Sequence, residues 1–462
     1  LGWADYSTEC PSMLNRQDHF FHPHALIHEW GKYWYYIANN FGKTIFNRSI
    51  KTRMRLMDFF AVDDSIDPKT LHPKFNDLSN QGGYIGAKEI ISNWGRDFHD
   101  KDKKAKIEFQ TTFHSTFWEL YLHAALKELE FDTCTLHSRP DFIIKQPSEL
   151  YIEAVVSEIR KDGKAEALRT IEDIERNLYP IATREEFAEL IDEAIVRHSS
   201  AFFSKVKKYR GFEHKGKTVK GYVECDWVDP DKPYIVAISS YDQIAYGREF
   251  VYSMNALLYG LYFDPLTKQY TIKSSIKKPG TDADIGLGLF TDSSYHEVSA
   301  VIFSSTLTLG KLASLYKSNN PSFDSVLNIR HVPEEPHFRL HEVTSENPET
   351  LLDGLYVFHN PYASNPLDME LFSRLAQFSS DAQGFYQLGN HPLIASRYHT
   401  NRLPTELINQ LKADTFERFN PEYCARELRK MAHPQKREKK KAVNSQKKRA
   451  RKIVKASRKR NR

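Results

Sequence analysis

A helix followed by three short strands, over residues 107–156, limits the fold of this chain more than any other feature. Apolar side chains at helical spacing predict one amphipathic helix over about residues 112–130. Short apolar runs separated by turn residues then predict strands over residues 131–136, 141–145 and 150–156. The last two strands form a hairpin in this interpretation, and a helix is expected to cover its buried face.

Three acidic residues lie in this stretch: Glu119 on the helix, Asp141 at the start of the second strand and Glu153 inside the third. A turn centred near Pro147 pairs residues whose numbers sum to 294, which places Asp141 opposite Glu153 on one sheet face. Two facing carboxylates repel each other unless a cation lies between them, and Mg²⁺ or Mn²⁺ accepts such oxygen ligands. The alternative interpretation makes Glu119 a surface acid and Asp141 a turn cap. Glu153 fits that alternative poorly, because an unpaired carboxylate in an apolar strand is costly.

The rest of the chain predicts more helices and buried strands. Residues 165–209 have a charged helical pattern that Pro180 interrupts, and the sequence TREE at residues 183–186 is typical of a capping box. Residues 233–239 are almost all apolar, as expected for a central strand covered on both faces. Further buried strands are predicted at residues 297–306 and 354–359, and a helix at residues 369–378.

These patterns predict an α/β fold with a mixed central sheet flanked by helices. Four regions are expected in chain order. The first, residues 1–100, is aromatic-rich and helical, and residues 101–245 form the core that holds the acids. Residues 246–430 form a C-terminal α/β extension of unassigned role, and residues 431–462 form a basic tail predicted to be disordered when free.

The net charge of +5 is unevenly distributed. Residues 436–462 hold 15 Lys and Arg against one acid, a charge of +14, which leaves −9 for residues 1–435. A basic tail on an acidic body predicts an anionic partner, most often nucleic acid, although a merely solubilising tail stays open. The tail residues expected to contact phosphates are Lys439, Lys440, Lys441, Lys447, Lys448 and Arg449.

Cysteine use and hydropathy exclude several protein classes. The four cysteines are far apart and none has CxxC spacing, so neither a zinc ribbon nor a disulfide framework is indicated. No apolar run approaches the roughly 20 residues that span a bilayer, which predicts no membrane partner. A reducing, cytoplasmic location is therefore expected.

The order of these elements resembles a known superfamily. Glu119 on a helix, then Pro140-Asp141, then a strand carrying Glu153, in the order αβββαβ, is similar to the PD-(D/E)XK nucleases. This resemblance covers about residues 107–245. A second resemblance, which extends to about residue 367, is to an uncharacterised bacterial family with a nuclease-like core. It rests on the segments FHSTFWELYL, RPDF, IEAVV, RHSSAFFSKVKKY, PYIVAIS and HNPYA.

The resemblance implies a metal-dependent hydrolase that cleaves phosphodiester bonds of nucleic acid, with DNA favoured over RNA and a role in defence or repair. It also implies that Glu119, Asp141 and Glu153 hold Mg²⁺ or Mn²⁺. One position departs from the superfamily pattern, because Val155 stands where a lysine is expected two residues after the second acid. That lysine orients the attacking water in the superfamily, so its loss puts catalysis in doubt.

A neighbouring helix is expected to supply the missing cation. Arg197, Lys205 and Lys208 recur at three- to four-residue spacing and share one helix face. Lys205 is the predicted catalytic lysine, and Arg197 and Lys208 are predicted phosphate contacts. Lys145 is the second candidate, since it shares the face of Asp141 by strand alternation. The alternative acid–base pair Glu158 and Arg160 is disfavoured, because Glu158 lies on the strand face opposite to Glu153.

Two other possibilities remain at this point. A protein that keeps the nuclease fold but only binds nucleic acid, or assembles with a partner, fits the same residues if no cation reaches the acids. Action as a homodimer also stays open.

Overall fold

The computed structural model describes residues 57–432, with gaps at residues 63–65, 82–83, 102, 160–162, 165, 171, 174–175, 177–178, 182, 242, 244–246, 323, 390 and 401–403. The predicted helical region before residue 57 therefore lies outside the described residues, as do Arg160 and all six tail residues expected to contact phosphates.

Nine α-helices occur in the described part. Their bounds are α1 Pro73–Asn80, α2 Ile85–Trp94, α3 Ala105–Thr111, α4 His114–Glu128, α5 Arg184–Arg210, α6 Tyr252–Tyr259, α7 Leu309–Asn319, α8 Thr405–Phe419 and α9 Pro421–Ala432. The longest, α5, begins where the capping pattern predicts, since Thr183 Oγ1 accepts a hydrogen bond from the Glu186 backbone N–H at 3.1 Å. No described helix is long and apolar enough to cross a membrane.

The strands of the described part are β1 Asp132–Cys134, β2 Phe142–Gln146, β3 Leu150–Val156, β4 Phe212–His214, β5 Lys217–Val219, β6 Tyr234–Ser239, β7 Leu261–Asp264, β8 Gln269–Ile272, β9 Ser275–Lys277, β10 Asp284–Gly286, β11 Ala300–Ser304, β12 Ser325–His331, β13 Phe338–Glu342, β14 Tyr356–His359, β15 Ala376–Asp381, β16 Gly384–Leu388 and β17 Leu393–Thr400. The predicted bounds of β3 are confirmed without a shift.

One eight-stranded sheet organises the fold, in the order β1-β2-β3-β6-β11-β14-β15-β16. Strands β3, β6 and β11 run parallel at its centre, whereas β1, β2 and β3 are antiparallel neighbours. The predicted α/β class, a mixed central sheet flanked by helices, is thus confirmed. Four strands precede residue 245 and four follow it, so the core and the extension contribute equally to one sheet.

The sheet separates two apolar clusters. On one face, Ile152 and Ala154 of β3 pack in a cluster with α4, where the Trp118 indole N–H also donates to the Ala237 carbonyl at 3.1 Å. On the other face, Tyr151 packs with Phe202 of α5. Alternation along β3 therefore directs successive side chains to different helices, and Glu153 points towards α5.

One sequence prediction is corrected. The helix predicted at residues 369–378 is a short 3₁₀ turn, Met369–Phe372, followed by β15, because the apolar residues there pair with β14. This error arises where a short apolar pattern fits helix and strand alike. In the helical region predicted from residue 165, the part after Pro180 is α5, and the described residues before Pro180 include a 3₁₀ turn at Glu166–Leu168 and helical positions 172 and 173.

Candidate active site

The hairpin of β2 and β3 brings two of the three predicted acids together. The two strands pair Phe142 with Ile152 and Ile144 with Leu150, which is the predicted register. At the open end of the hairpin, the Asp141 backbone N–H faces Glu153 Oε2 at 3.3 Å. The register prediction is therefore confirmed, and Asp141, directly before β2, lies next to Glu153 of β3.

Glu153 is 1% exposed, and three donors meet at one of its oxygens. Lys205 Nζ lies 2.9 Å from Oε1, Lys208 Nζ lies 3.2 Å away and the Tyr222 hydroxyl donates at 3.0 Å. A buried carboxylate is tolerated only with such compensation. Because all three donors use Oε1, the side chain is held in one orientation with Oε2 directed towards Asp141.

Asp141 is anchored in a similar way. Its Oδ2 accepts a hydrogen bond from the Ala154 backbone N–H at 2.7 Å. Each acid therefore has one oxygen fixed by the protein. Among the described residues, the other oxygen of Asp141 accepts no hydrogen bond, and the other oxygen of Glu153 has only the long contact with the Asp141 backbone N–H.

A cleft of about 310 Å³ opens beside this pair, and both Glu119 and Asp141 line it. Its wall carries six acids and only three lysines, so the cleft is electronegative. The lining acids are Asp97, Asp100, Glu108, Glu119, Asp132 and Asp141. An anionic substrate enters such a cleft only if cations offset these charges.

Two of the acids that line the cleft, Glu119 and Asp141, have pKa values above those of isolated acids. Burial raises the pKa of Glu119 to about 8, with further contributions from Asp141 and Glu108. Burial and the neighbouring Glu153 raise the pKa of Asp141 to about 6. Burial lowers the pKa of Lys205, but Glu153 and Asp141 raise it by more, so this lysine stays charged. A divalent cation bound here would favour the ionised form of both acids and so oppose the effects of burial and of neighbouring acids on the two pKa values.

The basic residues predicted to act at the site lie in three different places in the structure. Lys205 and Lys208 both reach Glu153, although α5 is about 50 residues further along the chain. Arg197, on the same helix, lies instead in an internal network, where its guanidinium donates to the Ser157 carbonyl at 3.1 Å and to Ser240 Oγ at 3.4 Å. It is 7% exposed, so this placement does not fit the predicted phosphate contact.

Lys145 does not reach the acids. It pairs with Glu149 at the closed end of the hairpin, four residues and therefore about 13 Å of strand from Asp141. Val155 packs half-buried against the cluster on the α5 side, and Glu158 is exposed. Tyr222 was missed by sequence reasoning, because a single tyrosine 69 residues from Glu153 carries no local signal.

A different cluster has the spacing of a metal site. Among the described residues, it is the one group of three His, Cys, Asp or Glu side chains whose ligand atoms all lie within 4.8 Å of one another. It consists of His72, His114 and Glu166, whereas Glu119, Asp141 and Glu153 do not all approach so closely. Glu166 Oε2 lies 3.3 Å from His72 Nε2 and 3.1 Å from His114 Nε2, and Lys74 also contacts this carboxylate.

The tautomer of His72 argues against a metal at this cluster. His72 Nδ1 accepts a hydrogen bond from the Lys74 backbone N–H at 3.2 Å, so its ring proton lies on Nε2. A metal bound through Nε2 needs that proton on Nδ1 instead. Burial, Lys74 and Arg169 lower the pKa of His72 to about 4, which keeps the ring neutral. The cluster is therefore a hydrogen-bonded carboxylate that fixes the 3₁₀ turn at Glu166.

Comparison with known proteins adds no assignment. No family model, curated protein or solved structure matches this chain.

The two lysines at Glu153 are expected to contribute unequally to stability. Replacing Lys205 with methionine should lower the unfolding free energy by about 3 kcal/mol, because a buried carboxylate loses its most buried counter-charge. Replacing Lys208 with methionine should cost less than about 1 kcal/mol, since its side chain is 46% exposed. Urea denaturation of both variants checks this prediction, and equal losses would contradict it.

Proposed function

We propose that this protein is a metal-dependent nuclease that hydrolyses phosphodiester bonds, with DNA as the favoured substrate. The observation that carries the proposal is the pair of neighbouring acids, Asp141 directly before β2 and Glu153 on β3. Each has one oxygen fixed by protein donors, and in this proposal the other oxygen of each is available to a metal ion. The cleft beside them supplies room for a substrate.

The residues present fit Mg²⁺ or Mn²⁺. Such ions prefer carboxylate oxygens, and Mg²⁺ commonly keeps several waters beside one or two carboxylates. Asp141 and Glu153 would hold the ion in this proposal, and Glu119 would reach it directly or through a water. When bound, the ion lowers the pKa of a water and offsets charge on the scissile phosphate.

Lys205 has two tasks in this proposal. Its ammonium group holds Glu153 at 2.9 Å, and the same charge lies beside the position where a phosphate meets the acids. Lys208 is partly exposed and contacts the same oxygen, so it is free to turn towards the phosphate backbone. Together these lysines replace the charge that is missing at Val155.

The basic tail supplies affinity for nucleic acid. Its charge of +14 attracts a polyanion that the acidic body alone repels. Lys439, Lys440, Lys441, Lys447, Lys448 and Arg449 are proposed to contact backbone phosphates independently of sequence.

A second function is favoured by one observation. Two lysines and a tyrosine already satisfy Glu153 without a metal ion. A protein that keeps this ion pair as a structural feature and only binds nucleic acid, or assembles with a partner, has the same arrangement. The two functions differ in one measurable respect, since only the nuclease cleaves in the presence of metal.

Cleavage is expected to require metal and to increase between pH 6 and pH 8. The full chain is incubated with end-labelled single-stranded and duplex DNA and RNA, in Mg²⁺, Mn²⁺ or EDTA, at several pH values. The raised pKa values, about 6 for Asp141 and about 8 for Glu119, keep these acids protonated at lower pH, where they bind metal poorly. Lack of cleavage of every substrate in either metal would favour the binding-only function.

A further inference from the structure

We propose that the loop between β1 and β2 binds unpaired nucleotides beside the acid pair, so that the substrate is single-stranded or branched rather than continuous duplex. This inference rests on the proposed nuclease function and names its substrate class. The loop, residues 135–140, connects Cys134 to Asp141. Its Thr135 and Ser138 line the same cleft as Glu119 and Asp141.

The loop carries a flat aromatic surface. The His137 ring stacks on Trp227 with ring centroids 4.5 Å apart and an interplanar angle of 4°. Trp227 also fixes the loop, because its indole N–H donates to the Arg139 carbonyl at 2.8 Å. The platform is therefore rigid on one side, and His137 is only half-buried on the other. A base that stacks on such a ring gains affinity without regard to its identity.

Two further side chains of the loop suit a nucleotide. Leu136, two residues before the cleft-lining Ser138, is 84% exposed and so available to a ligand. Arg139 is exposed, and its guanidinium has no hydrogen-bond or ion-pair partner among the described residues. Apolar wedges of this kind insert between bases, and an unpaired arginine attracts the adjoining phosphate.

An unpaired strand matches these groups better than a duplex does. In a continuous duplex the faces of the bases are covered by their neighbours, so neither His137 nor Leu136 can reach one without unstacking it. Single-stranded or branched nucleic acid offers such faces directly. Arg139 adds a positive charge to the loop, and the basic tail supplies further affinity for a polyanion.

The test measures binding without cleavage. Fluorescence anisotropy of a labelled 20-nucleotide single strand and the matching duplex is recorded for the full chain in EDTA, at about 0.2 M salt to weaken contacts from the tail. His137→Ala and Leu136→Ala should each weaken single-strand binding about 10-fold and leave duplex binding unchanged. Ile272→Ala is the matched control, since Ile272 is 87% exposed on β8.

The outcomes separate this inference from the proposed function. Single-strand binding that is the same in the loop variants and in the control would overturn the inference, whether or not the protein cleaves. Equal losses for single strand and duplex would also overturn it, because they indicate a general phosphate or protein contact. A selective loss of single-strand binding in a protein that shows no metal-dependent cleavage would support the binding surface and contradict only the nuclease proposal.

Discussion

Replacing Asp141 with asparagine is expected to lower the metal-dependent cleavage rate about 10³-fold, because a metal ion supplies several kcal/mol of charge stabilisation and each 1.4 kcal/mol is tenfold in rate. Asparagine keeps an oxygen that can accept the hydrogen bond from the Ala154 N–H. The variant therefore retains the local hydrogen bonding and loses the charge. Single-turnover cleavage of labelled DNA in Mn²⁺ measures the effect.

The stability of the same variant distinguishes lost chemistry from lost folding. The pKa of Asp141 in the folded protein is raised to about 6, so ionisation of this acid costs stability as the pH rises from its unfolded pKa through 6. At pH 8 without metal, the asparagine variant should be at least as stable as the parent protein. Glu158→Gln is the control, because Glu158 is an exposed acid just beyond the end of β3. Cleavage retained in the Asp141 variant would remove this residue from the proposed site.

Replacing Glu349 with glutamine is expected to lower the unfolding free energy by about 4 kcal/mol, since it leaves two buried cations without their counter-charge. Lys311 Nζ lies 2.7 Å from Glu349 Oε1, and Arg397 Nε lies 3.1 Å from Oε2. Asn328 donates to Oε2 at 2.7 Å, and the Glu349 backbone N–H donates to Ser318 Oγ at 2.9 Å. Thermal and urea denaturation measure the loss.

The dependence of this contribution on pH has a defined sign. Burial alone raises the pKa of Glu349, but Arg397 and Lys311 outweigh it and hold the pKa well below its usual value. The stabilisation is therefore present above the unfolded pKa and is lost as the pH falls towards the folded pKa. Glu346→Gln, at an exposed position three residues earlier, should change the unfolding free energy by less than about 0.5 kcal/mol. Similar losses in both variants would contradict the assignment.

The Glu349 network also links elements of the C-terminal part of the chain to one another. Its partners come from α7 and from β12 and β17, which are neighbouring strands of one sheet. The three-stranded sheet β13-β12-β17 is thus linked to α7 by a buried charge cluster as well as by apolar packing. We therefore expect Glu349→Gln to lower stability without affecting the groups around Glu153.

Local pattern was sufficient for several features of the site. The bounds of β3 and the pairing of Phe142 with Ile152 follow from alternation and from the turn near Pro147, both of which act over a few residues. The central position of β6 follows from its continuous apolar run, which only a strand covered on both faces carries. The capped start of α5 was likewise predicted, because a capping box is a contiguous signal.

Other features depended on contacts between distant residues. Arg197 and Lys205 share one face of α5 in the sequence pattern, yet only Lys205 reaches Glu153, because Arg197 lies two turns earlier along the helix, near the ends of β3 and β6. Helical spacing specifies a direction around the helix axis and leaves open what each turn packs against. The same limit explains Lys145, which strand alternation made a candidate but whose position along the strand places it beside Glu149.

The helix, the hairpin and the opposition of Asp141 to Glu153 were determined by the sequence alone, because alternation and turn chemistry are local. Only the tertiary structure decided that Lys205, Lys208 and Tyr222 meet at Glu153 Oε1, and that Glu119 and Asp141 share a cleft with the loop that carries Leu136 and His137. These contacts join residues 52 to 69 positions apart at Glu153. They form because a buried carboxylate requires donors, and packing of α5 against the sheet determines which donors are within reach.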